Sequence, residues 1–208
     1  KLYCGTVEPS DTLRYGRQSG QMPSHLLQFS VDKKPVVVWN ITRRCNLKCI
    51  HCYAHAKAGQ QENELTTGEG RALIDDLAEM GVPVLLLSGG EPLMRPDMPE
   101  LAEYAVRRGM RAVISTNGTL IDRETARVLK EIGLSYVGIS LDGNQQVNDR
   151  FRGMEGAFEQ AMQGIENCQA AGIKVGLRFT INRFNAEEIP GLFELLEARE
   201  IPRICFYH

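Results

Sequence analysis

The chain has 208 residues, 43% apolar and 24% charged, with 20 glycines and 9 prolines, proportions that suit one soluble globular domain with a sizeable core. Its 24 Lys plus Arg against 26 Asp plus Glu leave a formal net charge of -2, so there is no basic field for nucleic acid or an anionic membrane. The longest apolar runs, Val36 to Trp39 and Val82 to Leu87, fall far short of a bilayer span, and no secretory signal opens the chain, which makes a cytoplasmic protein the expectation.

In chain order, residues 1–34 carry Gly5, Pro9, Gly16, Gly20 and Pro23 without a sustained period, and read as an irregular leader. From Pro35 onward, short β-branched runs alternate with amphipathic stretches, the pattern of parallel strands joined by helical crossovers. The strands are predicted at Val36 to Ile41, Val82 to Leu87, Arg111 to Ser115, Tyr136 to Leu141, Lys174 to Thr180 and Arg203 to Tyr207. Leu73, Ile74, Leu77, Ala78 and Met80 recur at helical spacing, behind a Thr66-x-x-Glu69 capping box and ahead of Gly81. Gly109, Gly133 and Gly172 close further helical patterns just before the next strand, giving six strand-helix units over residues 35–208. Such units coil right-handed into a barrel or an open doubly wound sheet, with reacting groups at the C-terminal ends of the strands.

The unusual residues stand at those ends. Cys45, Cys49 and Cys52 follow the first strand, Ser88-Gly89-Gly90-Glu91-Pro92 the second, Thr116-Asn117-Gly118 the third, and Asp142-Gly143 the fourth. Three thiolates in a Cys-x3-Cys-x2-Cys loop favour a thiophilic centre, either zinc, with His51 or His55 as the fourth ligand, or a 4Fe-4S cluster that keeps one iron free for a small molecule. Cys4, Cys168 and Cys205 lie far apart and take no part.

The run Cys45-Asn46-Leu47-Lys48-Cys49-Ile50-His51-Cys52-Tyr53 resembles the signature loop of the radical S-adenosylmethionine (SAM) enzymes, and Gly89-Gly90-Glu91-Pro92 resembles that superfamily's second hallmark. The resemblance implies a partial (β/α)6 TIM-like barrel, an α/β fold, in which Cys45, Cys49 and Cys52 hold a 4Fe-4S cluster. The free iron would chelate SAM, and reductive cleavage would release a deoxyadenosyl radical. It implies that the backbone of the Gly89-Gly90 turn and the Glu91 carboxylate receive the methionyl ammonium, that Ser140 approaches the ribose and that Arg178 pairs with the cofactor carboxylate. It also implies that His51 touches adenine through its backbone and that Asn117 lies near cofactor or substrate. Packing alone is the alternative role for each of these side chains.

Within the superfamily, Lys1-Leu2-Tyr3-Cys4-Gly5-Thr6, Leu13-Arg14-Tyr15-Gly16-Arg17, Pro23-Ser24-His25-Leu26-Leu27 and the Val37-to-Arg44 approach resemble the enzymes of the siroheme-dependent heme pathway. That likeness implies oxidative removal of two acetate side chains from an iron tetrapyrrole, 12,18-didecarboxysiroheme, to give Fe-coproporphyrin III. It implies a low-potential electron donor such as ferredoxin or flavodoxin, and a second 4Fe-4S cluster in a cysteine-rich segment beyond His208. Arg14, Arg17, Arg43, Arg44, Arg95 and Arg183 are the candidate partners of substrate carboxylates. The rival functions are a radical SAM peptide maturase and a zinc-binding interaction module using Cys45, Cys49, Cys52 and His55.

Overall fold

The computed structural model describes residues 34–52, 54–56 and 64–207; residues 1–33 of the leader and Tyr53 lie outside the described residues. Six strands form one parallel sheet in sequential order: β1 (Val37–Thr42), β2 (Val84–Gly89), β3 (Arg111–Thr116), β4 (Tyr136–Ser140), β5 (Val175–Thr180) and β6 (Ile204–Tyr207). Every neighbouring pair is parallel. A sheet that never reverses its order, with each crossover returning to the next position, is the open partial barrel expected from the repeat.

The crossovers are helical: α1 (Thr67–Glu79), α2 (Met98–Arg107), α3 (Arg123–Glu131), α4 (Gln145–Arg152), α5 (Ala157–Ala170) and α6 (Ile189–Ala198). Helix α1 starts at the expected capping box, with both the Thr66 and the Glu69 side-chain bonds made. It ends at Gly81, whose φ of 73° is the left-handed turn that glycine adopts without a Cβ clash. Helix α2 buries Met98, Leu101, Ala102 and Ala105, an i, i+3, i+4, i+7 face laid against the sheet.

The two faces of the sheet differ in chemistry. Val137, Ile139, Val175, Leu177 and Phe179 turn toward the helices and join one apolar core with Ile74, Leu101, Leu129 and Ile165. Tyr136, Gly138, Gly176 and Arg178 share the opposite face: a Cβ built on Gly138 would meet Arg178 Nε at 2.8 Å, and one on Gly176 would meet the Tyr136 hydroxyl. The concave side of the barrel is therefore the polar one.

Three expectations need correction. Strand β2 begins at Val84 rather than Val82, because Pro83 has no N–H and the Val82 N–H is already given to Leu77 O at the end of α1. Met80 is the C-cap of α1 and 55% exposed, so it is not part of the core stripe. The fourth crossover holds two helices instead of one, since Asn144 caps α4 through the Val147 N–H and Gly153, at φ 64°, ends it after two turns. Among the described residues, no helix is long and apolar enough to cross a membrane.

Candidate cofactor and cluster site

The loop after β1 is held at both ends by backbone. On one side, Gly90 N–H donates to Thr42 O at 2.8 Å and Glu91 N–H to Arg44 O at 2.7 Å, so the glycine turn is tied to the entry of the cysteine loop. A Cβ on Gly89 would lie 2.2 Å from Thr42 O and one on Gly90 2.3 Å from Arg44 O, which explains the residue type at both positions. On the other side, Lys48 N–H donates to Arg152 O at 3.2 Å and Ile50 N–H to Phe151 O at 2.9 Å. These are carbonyls of the last turn of α4, which have no partner within their own helix.

Cys45, Cys49 and Cys52 are all free thiols, Cys45 buried and the other two half-buried. Cys45 Sγ accepts from Leu47 N–H at 3.4 Å and from Asn117 Nδ2 at 4.0 Å. Cys49 Sγ accepts from Arg152 Nη1 at 3.8 Å. Burial pushes both thiols up from the ordinary cysteine range, and at Cys49 the Arg152 guanidinium works against that rise. Three free thiols in one loop, two of them already accepting from N–H groups that would stabilise a thiolate, fit a sulfur-bound iron cluster.

Glu91 is completely buried. Its Oε1 accepts from Thr116 Oγ1 at 2.7 Å and Leu93 N–H at 3.1 Å, and its Oε2 from Asn117 N–H at 2.7 Å. Burial pushes its pKa up, and those donors oppose the shift. The carboxylate thus staples the end of β3 to the glycine turn. Asn117 likewise faces the cysteine loop: its Nδ2 donates to Asn46 Oδ1 at 2.9 Å, and its Oδ1 accepts from Thr119.

His51 is half-buried, 3.5 Å from Asp142 Oδ2 and tilted against the Phe151 ring. Burial holds its pKa below the usual histidine range, leaving the ring neutral at pH 7. Ser140 and Arg178 are register partners on β4 and β5. The Arg178 guanidinium sits 5.3 Å over the Tyr207 ring, and its Nε is buried with no hydrogen-bond partner. A half-buried cation with one buried, unpartnered N–H on the polar face fits an incoming carboxylate.

Arg95 is not available to a substrate. It is 4% exposed and gives its protons to Asp97, to Ile41 O and to Leu65 O, which corrects the expectation of a carboxylate partner there. Arg44 is paired with Glu64 at 3.6 Å, Arg43 is exposed, and Arg183 is exposed and lies over Phe184. Arg14 and Arg17 lie outside the described residues. The sequence reading passed over Arg152, since its 103-residue separation from Cys49 hides the contact from any local pattern.

The family model of the radical SAM superfamily matches residues 39–196. The chain belongs to the radical SAM superfamily. Its relatives include the Fe-coproporphyrin III synthase of Methanosarcina barkeri, 72% identical over 208 residues, which are 100% of this chain and 52% of that protein. They also include the pre-heme d1 synthase of Dinoroseobacter shibae, 46% identical over 175 residues, 84% of this chain and 43% of that protein. The chain spans about half the length of the curated relatives it matches. Among solved structures, native anSMEcpe with bound AdoMet superposes with a TM-score of 0.69 at 18% identity, covering 83% of this chain and 50% of that one, a likeness of fold. A 4Fe-4S cluster and SAM are the cofactors that membership in the radical SAM superfamily implies.

Proposed function

We propose that this chain is the cofactor-binding barrel of a radical SAM enzyme, 12,18-didecarboxysiroheme deacetylase, which removes two acetate side chains oxidatively to make Fe-coproporphyrin III. The observation that carries this reading is the 72% identity, over every residue of the chain, to a protein named Fe-coproporphyrin III synthase. Cluster and SAM together supply reductive cleavage to a carbon radical able to take hydrogen from an acetate side chain.

This chain's residues divide the binding work. Cys45, Cys49 and Cys52 hold the cluster, and the turn at Gly89, Gly90 and Glu91 receives the SAM ammonium, the buried Glu91 charge favouring a cation in front of it. Arg178 takes the SAM carboxylate, supported by its unpartnered Nε, and Ser140, its register partner, meets the ribose. His51 lines the adenine through its backbone, and Asn117 sets the cysteine loop. The neutral His51 adds no charge there.

The tetrapyrrole lies over the mouth of the barrel, its carboxylates meeting Arg43 and the leader residues Arg14 and Arg17. The leader and a cysteine-rich segment with a second 4Fe-4S cluster complete the pocket, and a cytoplasmic ferredoxin or flavodoxin supplies electrons. A zinc module is less well supported. His55 is exposed, and among the described residues no three His, Cys, Asp or Glu side chains converge closely enough for a single metal ion.

The test is anaerobic purification followed by iron analysis, SAM cleavage and titration with didecarboxysiroheme. Brown protein that cleaves SAM with dithionite and binds the tetrapyrrole supports the reading. Colourless protein with stoichiometric zinc, or cleavage without tetrapyrrole binding, overturns it.

A further inference from the structure

Arg152 stands at a junction of the cysteine loop, α4 and the loop after β4. Its Nη1 donates to Cys49 Sγ at 3.8 Å, and its Nη2 lies 2.8 Å from Asp142 Oδ2. Both side chains are nearly closed to solvent, Arg152 at 10% and Asp142 at 0%. Asp142 is itself fixed, because its N–H donates to Asn148 Oδ1 and its carbonyl accepts from Asn185 Nδ2. One planar guanidinium therefore bridges a carboxylate and a thiol, a geometry that the single ammonium of lysine does not reproduce with both contacts.

We propose that Arg152, held by Asp142, is a positioning residue that sets the reduction potential of the cluster through Cys49. The inference rests on the reading of Cys49 as a cluster ligand and goes beyond it. When the cluster takes up one electron from a low-potential donor, no bond forms or breaks, the donor is oxidised and the cluster with its thiolates gains one negative charge. A permanent cation against one of those thiolates favours the reduced form, and burial keeps solvent and salt from screening it. Asp142 partly offsets that cation. The side chain's charge is separable from the loop's position. The loop is held on α4 by the backbone bonds from Lys48 and Ile50, and by Gly153, where a Cβ would lie 2.6 Å from Lys48 O.

The experiment is an EPR-monitored redox titration, with dithionite, of anaerobically reconstituted protein, following the cluster whose signal changes when SAM is added. Arg152→Met should shift the oxidised-to-reduced equilibrium about tenfold toward the oxidised form, ~59 mV lower for a one-electron couple. Asp142→Asn, which removes the offsetting negative charge but keeps an oxygen for the guanidinium to bond, should move it the opposite way. Arg152→Lys, which keeps the charge, should stay nearer the wild type than Arg152→Met does. Should methionine at this position prevent assembly, Arg152→Gln, which keeps an amide donor without the charge, takes its place with the same expected downward shift. A normal wild-type cluster whose equilibrium changes less than twofold in all three variants, or moves in the same direction in Asp142→Asn and Arg152→Met, overturns this inference only. A wild-type protein with no SAM-responsive cluster overturns the cysteine assignment and this inference together.

Discussion

Arg95→Met tests how the site is braced. Arg95 joins three places: the end of β1 through Ile41 O at 2.8 Å, the entry to α1 through Leu65 O at 2.8 Å, and the exit of the glycine turn through Asp97 at 2.7 and 2.9 Å. Methionine fills similar space but donates nothing, so the Ile41 and Leu65 carbonyls lose this donor and the partly buried Asp97 carboxylate loses its cation, keeping the Thr67 hydroxyl. The stacking on Trp39, 5.7 Å away, is lost as well. Removing one member of such a pair costs about 3–5 kcal/mol, because the group left behind was desolvated for the partner's sake. In a domain of this size that is a fall of roughly 10 °C or more in melting temperature. Thermal unfolding of wild type and variant measures it. A variant that melts within a degree or two of the wild type yet loses tetrapyrrole affinity would remove the brace and return Arg95 to the substrate.

Acid should expose the same brace: the Arg95 guanidinium and the Thr67 hydroxyl hold the Asp97 carboxyl down from 3.8 to about 2, against a smaller opposing effect of burial. Because the folded value is the lower one, the stabilisation is complete above about pH 4 and fades as pH falls toward 2, a contribution of about 1–2 kcal/mol after allowing for solvent screening. Urea unfolding at pH 6 and pH 3 should show it, and Asp97→Asn should remove that part of the pH dependence. Glu91→Gln places an amide N–H against one of the three donors around the carboxylate, so SAM affinity should drop about tenfold while cluster iron stays normal; unchanged affinity in equilibrium binding would leave the turn a purely structural role. Arg178→Met should weaken SAM binding by roughly tenfold or more, with Arg178→Lys between it and the wild type; wild-type affinity in the methionine variant would rule out the carboxylate contact.

The strand order was legible because each repeat carries its own punctuation: a β-branched run, a cap such as Thr66 and a closing glycine such as Gly81 all act within one turn of chain. The strand boundary at Val84 was missed because a proline's missing donor outweighed the apolar run around it. Helix α4 was missed for a different reason. Its eight residues are mostly polar, bury only Asn148, Phe151 and Arg152, and leave no apolar stripe to detect. The cysteine loop and the glycine turn were legible as local motifs, and the loops that carry them do meet. Pairings across the barrel were not. Arg95 read as a candidate partner of substrate carboxylates and Arg152 carried no signal, and only the packing of distant segments shows that one braces β1 and the other faces Cys49.

The most direct measurement is mass spectrometry of an anaerobic reaction containing the reconstituted protein, SAM, dithionite and 12,18-didecarboxysiroheme. Fe-coproporphyrin III should appear, with both acetate side chains gone and 5′-deoxyadenosine formed alongside. Recovery of unchanged tetrapyrrole, from a protein shown in the same tube to cleave SAM, would contradict the proposed deacetylation.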